Sequence, residues 1–202
     1  MSMSDLSIKP AAIADILAEE IIRGDIAQGA RLAQDHIAER FNCSHVPARE
    51  ALQRLVQMEL ATFIPKRGVR AFSLTDADQD DILEMRLALE PLALAKAVAN
   101  ITPMALLEME PFRLACDHAK DPISWEKANR QFHLEILKPC ARPLLLGRIE
   151  QLQRLSAQRF HARWRETWRS TSDKDHVAIL RAMEQRDEKA ASTILKRHLS
   201  RG

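Results

Sequence analysis

With 202 residues, 46% of them hydrophobic, the chain can form one large or two small domains with a real core. Tyr is absent and Phe with Trp make up 4%, which excludes the aromatic stacking platforms that read single-stranded nucleic acid or RNA. The net charge of +2 does not by itself mark a nucleic-acid binder, and no apolar run reaches transmembrane length. With no signal peptide visible either, the expectation is a soluble, cytoplasmic protein without a membrane partner.

Residues 1–9 read as a loose arm. Pro10 opens a helix in which Ile13, Ile16, Leu17 and Ile21 share one face, and Gly24 ends it. Arg31 to Arg40 reads as a second, shorter helix with Leu32, Ile37 and Ala38 turned inward. After Phe41-Asn42-Cys43, Ser44 stands as the N-cap of a third helix, and Pro47 falls within its first turn, where a missing N–H costs little. Ala51, Leu52 and Leu55 form its apolar stripe, which leaves His45, Arg49 and Gln53 facing outward. Two short helices so joined make a helix-turn-helix, the second being the DNA-recognition helix. Leu60–Ile64 and Val69–Leu74 read as strands around the turn Pro65-Lys66-Arg67-Gly68, a wing with a basic tip. Between Arg31 and Phe72 seven basic residues face four acidic ones, a modest phosphate-facing excess suited to a module used in two copies.

From Thr75 onward the pattern is helical. Thr75 with Asp78 resembles a capping box for a helix to about Asn100, which Pro91 should kink. Thr102-Pro103 opens a second helix to about Ala119, Asp121-Pro122 a third to about Lys138, and Pro143 a fourth to about Arg169. Ser172 with Asp175 caps a fifth, and Asp187 starts a sixth. The expected fold is mainly α: a winged helix-turn-helix over residues 1–74, then an all-α antiparallel six-helix bundle over 75–202.

Three cysteines, Cys43, Cys116 and Cys140, have no metal-like spacing and read as free thiols of a reducing compartment. Asn129 and His133 lie four apart on one helix face, and a hairpin of the last two helices can bring His176 near His198. By spacing alone, three scattered histidines are more often surface or core groups than ligands. Arg86 has an i, i+4 partner in Glu90, which reads as an ordinary ion pair. The basic run Arg148, Arg154, Arg159, Arg163, Arg165 and Arg169 reads as a solvated or ion-paired face ahead of a second DNA surface. Trp164 and Trp168 read as core or dimer interface ahead of an effector cage.

The phrase S-x-x-P-x-R-E-A-L at Ser44–Leu52, preceded by Gly29-x-x-Leu32 and followed by Pro65-x-Arg67-Gly68, resembles the winged helix-turn-helix of the GntR family of bacterial transcription regulators. That resemblance implies double-stranded operator DNA as partner, met by Arg31, Ser44, His45, Val46, Pro47, Arg49, Lys66, Arg67 and Gly68. Three departures stand out: His45 where Arg is common, Gln28 for the usual Pro, and Glu59 where Gly usually ends the recognition helix. Arg86…Glu90, Asn129-Arg130-Gln131-Phe132-His133, Asp175-His176-Val177-Ala178-Ile179 and His198-Leu199 are similar to phrases of the ligand-binding domain called FCD, found in one GntR subfamily. The resemblance implies a divalent transition metal, zinc or nickel, held by Asn129, His133, His176 and His198. Beside it would bind a small organic acid effector, met by Arg86 and Arg130. Asn129 stands where Asp is frequent, which removes one formal charge, and Arg142 stands before Pro143 where Asn is frequent. The implied protein is a homodimeric, ligand-responsive repressor rather than an enzyme. A bundle that only dimerises and a metal-dependent hydrolase are the alternatives.

Overall fold

A computed structural model describes residues 8–164, 167–169 and 172–201. Most of the N-terminal arm, and Arg165 of the basic run, therefore lie outside the described residues. The chain divides into two compact units, Met1–Thr75 and Asp76–Gly202.

In the first unit α1 spans Pro10–Arg23, with Pro10 in its first turn. It ends where Gly24 takes a left-handed φ of 79° and returns its N–H to the Ile21 carbonyl. Helix α2 is Gln34–Arg40 and α3 is His45–Gln57. The sequence reading is corrected at the start of α2. Arg31–Leu32 is a short strand, β1, paired antiparallel with β3 (Gly68–Ala71), which also pairs with β2 (Ala61–Ile64). The reason is the ladder: Gly29 N–H donates to the Ala71 carbonyl and Ala71 N–H to the Ala30 carbonyl, so the chain is held extended before α2 begins. Leu32 is buried as expected, but from a strand. Ile13, Leu17, Ile21, Ile37, Leu52, Leu55 and Leu60 fill the core of this unit.

A second correction concerns the cap of α3. Ser44 sits at the N-cap with extended backbone, but its hydroxyl accepts no cap hydrogen bond. The third helical position is Pro47, which has no N–H to offer.

The second unit is helical throughout its described residues: α4 Asp76–Asn100, α5 Pro103–His118, α6 Pro122–Leu137, a 3-10 turn Lys138–Cys140, α7 Pro143–Trp164, α8 Lys174–Glu184 and α9 Glu188–Leu199. Thr102, Asp121 and Asp187 cap their helices through their side chains. For α8 the cap is Asp173, whose carboxylate accepts from Asp175 N–H, and not Ser172. The described part of α7 reaches Trp164, and α4 continues through Pro91. Helix α4 packs on α7 and α9, α5 on α6, and α8 against α9. Leu94, Phe132, Ile136, Ile149, Ile179, Met183 and Leu195 form the shared core. At the α8–α9 turn Arg186 donates to the carbonyls of Ala99 and Ile101, tying the hairpin to the end of α4. Among the described residues no helix is long and apolar enough to cross a membrane.

Candidate DNA-reading surface and histidine cluster

Helix α3 is anchored by Ala48, Ala51, Leu52 and Leu55, all buried, and this turns the opposite face outward. Ser44, His45, Val46 and Arg49 are exposed there, with Pro47 half-buried. Gln34 Nε2 donates to the His45 carbonyl at 3.1 Å and so fixes α2 against the first turn of α3. His45 Nδ1 lies 3.3 Å from Asp35 Oδ1, so the residue that replaces the usual Arg faces a carboxylate on the neighbouring helix. Arg31, Lys66 and Arg67 are exposed, and Gly68 has a φ of 78° at the wing turn. Arg40 and Arg70 are engaged inside the unit, with Glu20 and the Gly29 carbonyl respectively.

The other two departures also acquire a structural account. Glu59 takes a left-handed φ of 56°, and the closing bonds from Glu59 and Leu60 N–H to the Val56 and Leu55 carbonyls are made. The turn therefore keeps the form that Gly would give it. Gln28 Oε1 accepts from Leu74 N–H at 3.1 Å, a bond that Pro could not make.

In the bundle His133, His176 and His198 converge, with one ring nitrogen of each within 4.8 Å of the others. Phe132 packs against His176 with ring centroids 4.3 Å apart and the planes tilted by 36°. His133 and His176 are buried, and His198 is 11% exposed at its side chain. Burial pulls the His176 pKa down to about 2, helped by the neighbouring His198 and His133. His133 is pulled down by burial too, against the opposing effect of Glu90.

Glu90 is fully buried, which pushes its pKa up, but Arg86 and the hydrogen bond with His133 outweigh this and hold it at about 2. With Glu90 ionised, His133 Nδ1 must carry the proton shared with Glu90 Oε2 at 3.2 Å. His133 Nε2 is then a bare lone pair that accepts from His198 Nε2 at 3.0 Å. His198 Nδ1 faces Asp173 Oδ2 at 3.3 Å.

Two observations bear on whether a cation fits here. Among the described residues neither His176 Nδ1 nor Nε2 has a hydrogen-bond partner, Asp173 Oδ2 being 3.9 Å away. Asn129 Oδ1 is likewise buried and without a partner. Such orphaned acceptors are costly unless something takes their lone pairs. Three imidazoles and an amide oxygen are a donor set that suits a divalent transition ion. The cysteines take no part: all three are free, and burial pushes the Cys116 thiol up to about 12.

A cavity of about 630 Å³ reaches this cluster through His198 and is also lined by Asn129 and Asp173. Arg86 and Arg130 also line it. Arg86 pairs with Glu90 Oε1 at 2.7 Å and points inward to donate to Ser156 Oγ at 2.8 Å. Arg130 pairs with Glu126 at 3.2 Å, and Glu126 lies 3.8 Å from the buried His161. Trp164 and Trp168 line the same cavity; Trp168 N–H donates to the Trp164 carbonyl at 2.9 Å, and its ring meets Trp125. Sequence reasoning did not find Ser156, the Glu90–His133 contact or the Asp173–His198 contact. Only Asp173 left a local signal, as an alternative cap for α8.

Comparison with known proteins agrees with this architecture. Residues 10–70 match the family described as bacterial regulatory proteins, gntR family, and residues 81–201 match the FCD domain. The HTH-type transcriptional regulator McbR of Escherichia coli K12 is 32% identical over 139 residues, covering 67% of this chain and 63% of that protein. The transcriptional repressor GlaR of the same organism is 28% identical over 196 residues, covering 91% of this chain and 89% of that one. The solved structure of E. coli McbR/YncC superposes with a TM-score of 0.82 at 25% identity, covering 95% of this chain and 93% of that one. The helix-turn-helix with its wing, the six-helix bundle and these matches together mean that the chain belongs to the GntR family of bacterial regulators, as a DNA-binding transcription regulator with an FCD domain and not an enzyme.

Proposed function

We propose that the protein is a homodimeric repressor, working in the cytoplasm, whose operator affinity is set by a small carboxylate bound beside a divalent metal in the bundle. The observation that carries this reading is the buried convergence of His133, His176 and His198, the last of which also lines the cavity. Asn129 and the three histidines would hold the ion, zinc or nickel, whose positive charge would attract a carboxylate at an open coordination position. Arg86, held by Glu90 and Ser156, presents a fixed guanidinium in the same wall, a group suited to gripping a carboxylate. A ligand that prefers one arrangement of the dimer shifts the population toward it by its difference in affinity.

Dimerisation is supported by exposed apolar side chains on two helices packed together, Met85 and Leu92 on α4 and Leu144 on α7, the last 93% exposed. The repressor sense follows GlaR, which is described as a repressor. Two recognition helices would enter successive major grooves of a pseudo-palindromic operator about one helical turn apart. Arg49 would contact a base or phosphate near the helix tip.

The test is metal analysis by mass spectrometry on protein purified without an affinity tag, alongside His133→Ala and Arg49→Ala. About one zinc or nickel ion per chain is expected in wild type and Arg49→Ala, and none in His133→Ala. Arg49→Ala should lose about 1–3 kcal/mol of operator discrimination with the fold intact. Metal-free wild type would reduce the bundle to a dimerisation device, and unchanged operator affinity in Arg49→Ala would remove the DNA-reading assignment.

A further inference from the structure

The cavity in the bundle has more recognition chemistry than a small acid on a cation needs. All three tryptophans of the chain, Trp125, Trp164 and Trp168, line it. Trp125 stacks on Phe160 with ring centroids 5.1 Å apart and meets Trp168 at 6.5 Å. Only 4% of the chain is aromatic, so gathering every indole around one cavity is a strong local bias. At about 630 Å³ the space is also of the size that encloses a ring-bearing ligand rather than a two- or three-carbon acid.

An independent observation comes from Gln153 on α7. It is 3% exposed and belongs to the cavity wall, yet among the described residues neither Nε2 nor Oε1 has a hydrogen-bond partner. Gln79 Oε1, in the wall from α4, is also buried without a partner. A buried amide with both ends unsatisfied destabilises the unliganded fold, and a leucine there would not. One amide offers a donor and an acceptor together, the pair that a single hydroxyl can satisfy.

We propose that the effector is an aromatic carboxylate bearing a ring hydroxyl. Its ring lies against the Trp125–Phe160–Trp168 shelf, its carboxylate points to the Asn129 and His198 end, and Gln153 reads the hydroxyl. This assignment of ligand class rests on the reading of the cavity as a carboxylate site given above. Gln153 is its specificity residue, and a site built to hydrogen-bond a hydroxyl disfavours the analogue that lacks it.

The three indoles make intrinsic fluorescence a direct reporter of this cavity. Titrations of the intact, metal-replete protein with acetate, citrate, benzoate and the three monohydroxybenzoates, paired with thermal shifts, test the proposal. Benzoate should bind about tenfold more tightly than acetate or citrate, from stacking. The best hydroxybenzoate should gain about a further tenfold, from the amide.

In Gln153→Leu the hydroxyl advantage should vanish while benzoate affinity stays and the unliganded melting temperature does not fall. Gln153→Met serves if the leucine variant fails to purify. Trp125→Leu should weaken the aromatic acids about tenfold and leave citrate unchanged. Acetate or citrate binding as tightly as the aromatic acids overturns the proposal but leaves the carboxylate site standing. So does a wild type indifferent to the hydroxyl, or a leucine variant that keeps the preference. If no acid of either kind binds, the carboxylate reading itself fails.

Discussion

Glu90 shows how one buried charge can serve two neighbours. Its two oxygens divide between Arg86 and His133, and with no exposure it has no water to fall back on. Removing one partner of such a buried pair leaves the other uncompensated, typically at about 3–5 kcal/mol. Glu90→Ala should therefore destabilise the bundle by about that amount, measured by denaturant unfolding. Glu90→Gln keeps the shape but no longer fixes the His133 tautomer. It should weaken zinc or nickel binding about 10–100-fold in a chelator competition while the fold persists. Unchanged metal affinity in Glu90→Gln would show that His133 needs no such orientation. The three departures from the family within the DNA-reading unit follow the same logic of local compensation. Glu59 accepts a left-handed backbone, Gln28 gains a hydrogen bond to Leu74, and His45 meets Asp35.

At the scale of elements, the signals that depend on a few adjacent residues were legible. Pro10 and Gly24 bracket α1, and Asp121-Pro122 opens α6. The spacing of Ala51, Leu52 and Leu55 gives the buried face of α3. Errors arose where a distant partner decides the local form. Arg31–Leu32 is extended because β3 lies beside it, and no pattern within residues 31–40 carries that information. Ser44 has the right residue type for a cap, but Pro47 removes the donor it would serve. Of the histidine cluster, residue types and the Asn129–His133 spacing were visible in the sequence. The α8–α9 hairpin that brings His198 to Asp173, and the α4 contact that brings Glu90 to His133, are tertiary facts.

For the molecule as a whole, the cluster makes stability depend on pH in a fixed direction. His176 ordinarily titrates at 6.5 but is held near 2 by burial and its neighbours. Below 6.5 the unfolded chain takes up a proton that the folded chain refuses, so stability falls as the solution is acidified. His133 shifts the same way. Glu90 adds a further loss below 4.5, because its folded form stays ionised down to about 2. In metal-stripped protein the melting temperature should therefore drop from about pH 7 to about pH 5, and His176→Gln should flatten that slope. A wild-type profile that is level through this range would contradict the neutral, buried His176. Metal uptake requires the same nitrogens unprotonated, and burial keeps that of His176 so in the folded chain through this interval.

Helix α4 also carries a built-in joint. Pro91 sits within its 25 residues, and proline has no N–H to offer the Leu87 carbonyl one turn earlier. The two sides of that gap are unequally anchored. Beyond it Ala93, Leu94, Ala97 and Val98 enter the core, whereas before it Ile82 is the only fully apolar side chain buried to that degree. Arg86 lies on the loosely held side, next to the break, and reaches Ser156 on α7 across the cavity wall. Amide hydrogen–deuterium exchange should accordingly divide the helix. Residues 76–86 should exchange through local opening, and residues 93–100 only with unfolding of the bundle. A ligand that engages Arg86 would slow the first segment and leave the second untouched, so the same helix would serve as both sensor and frame.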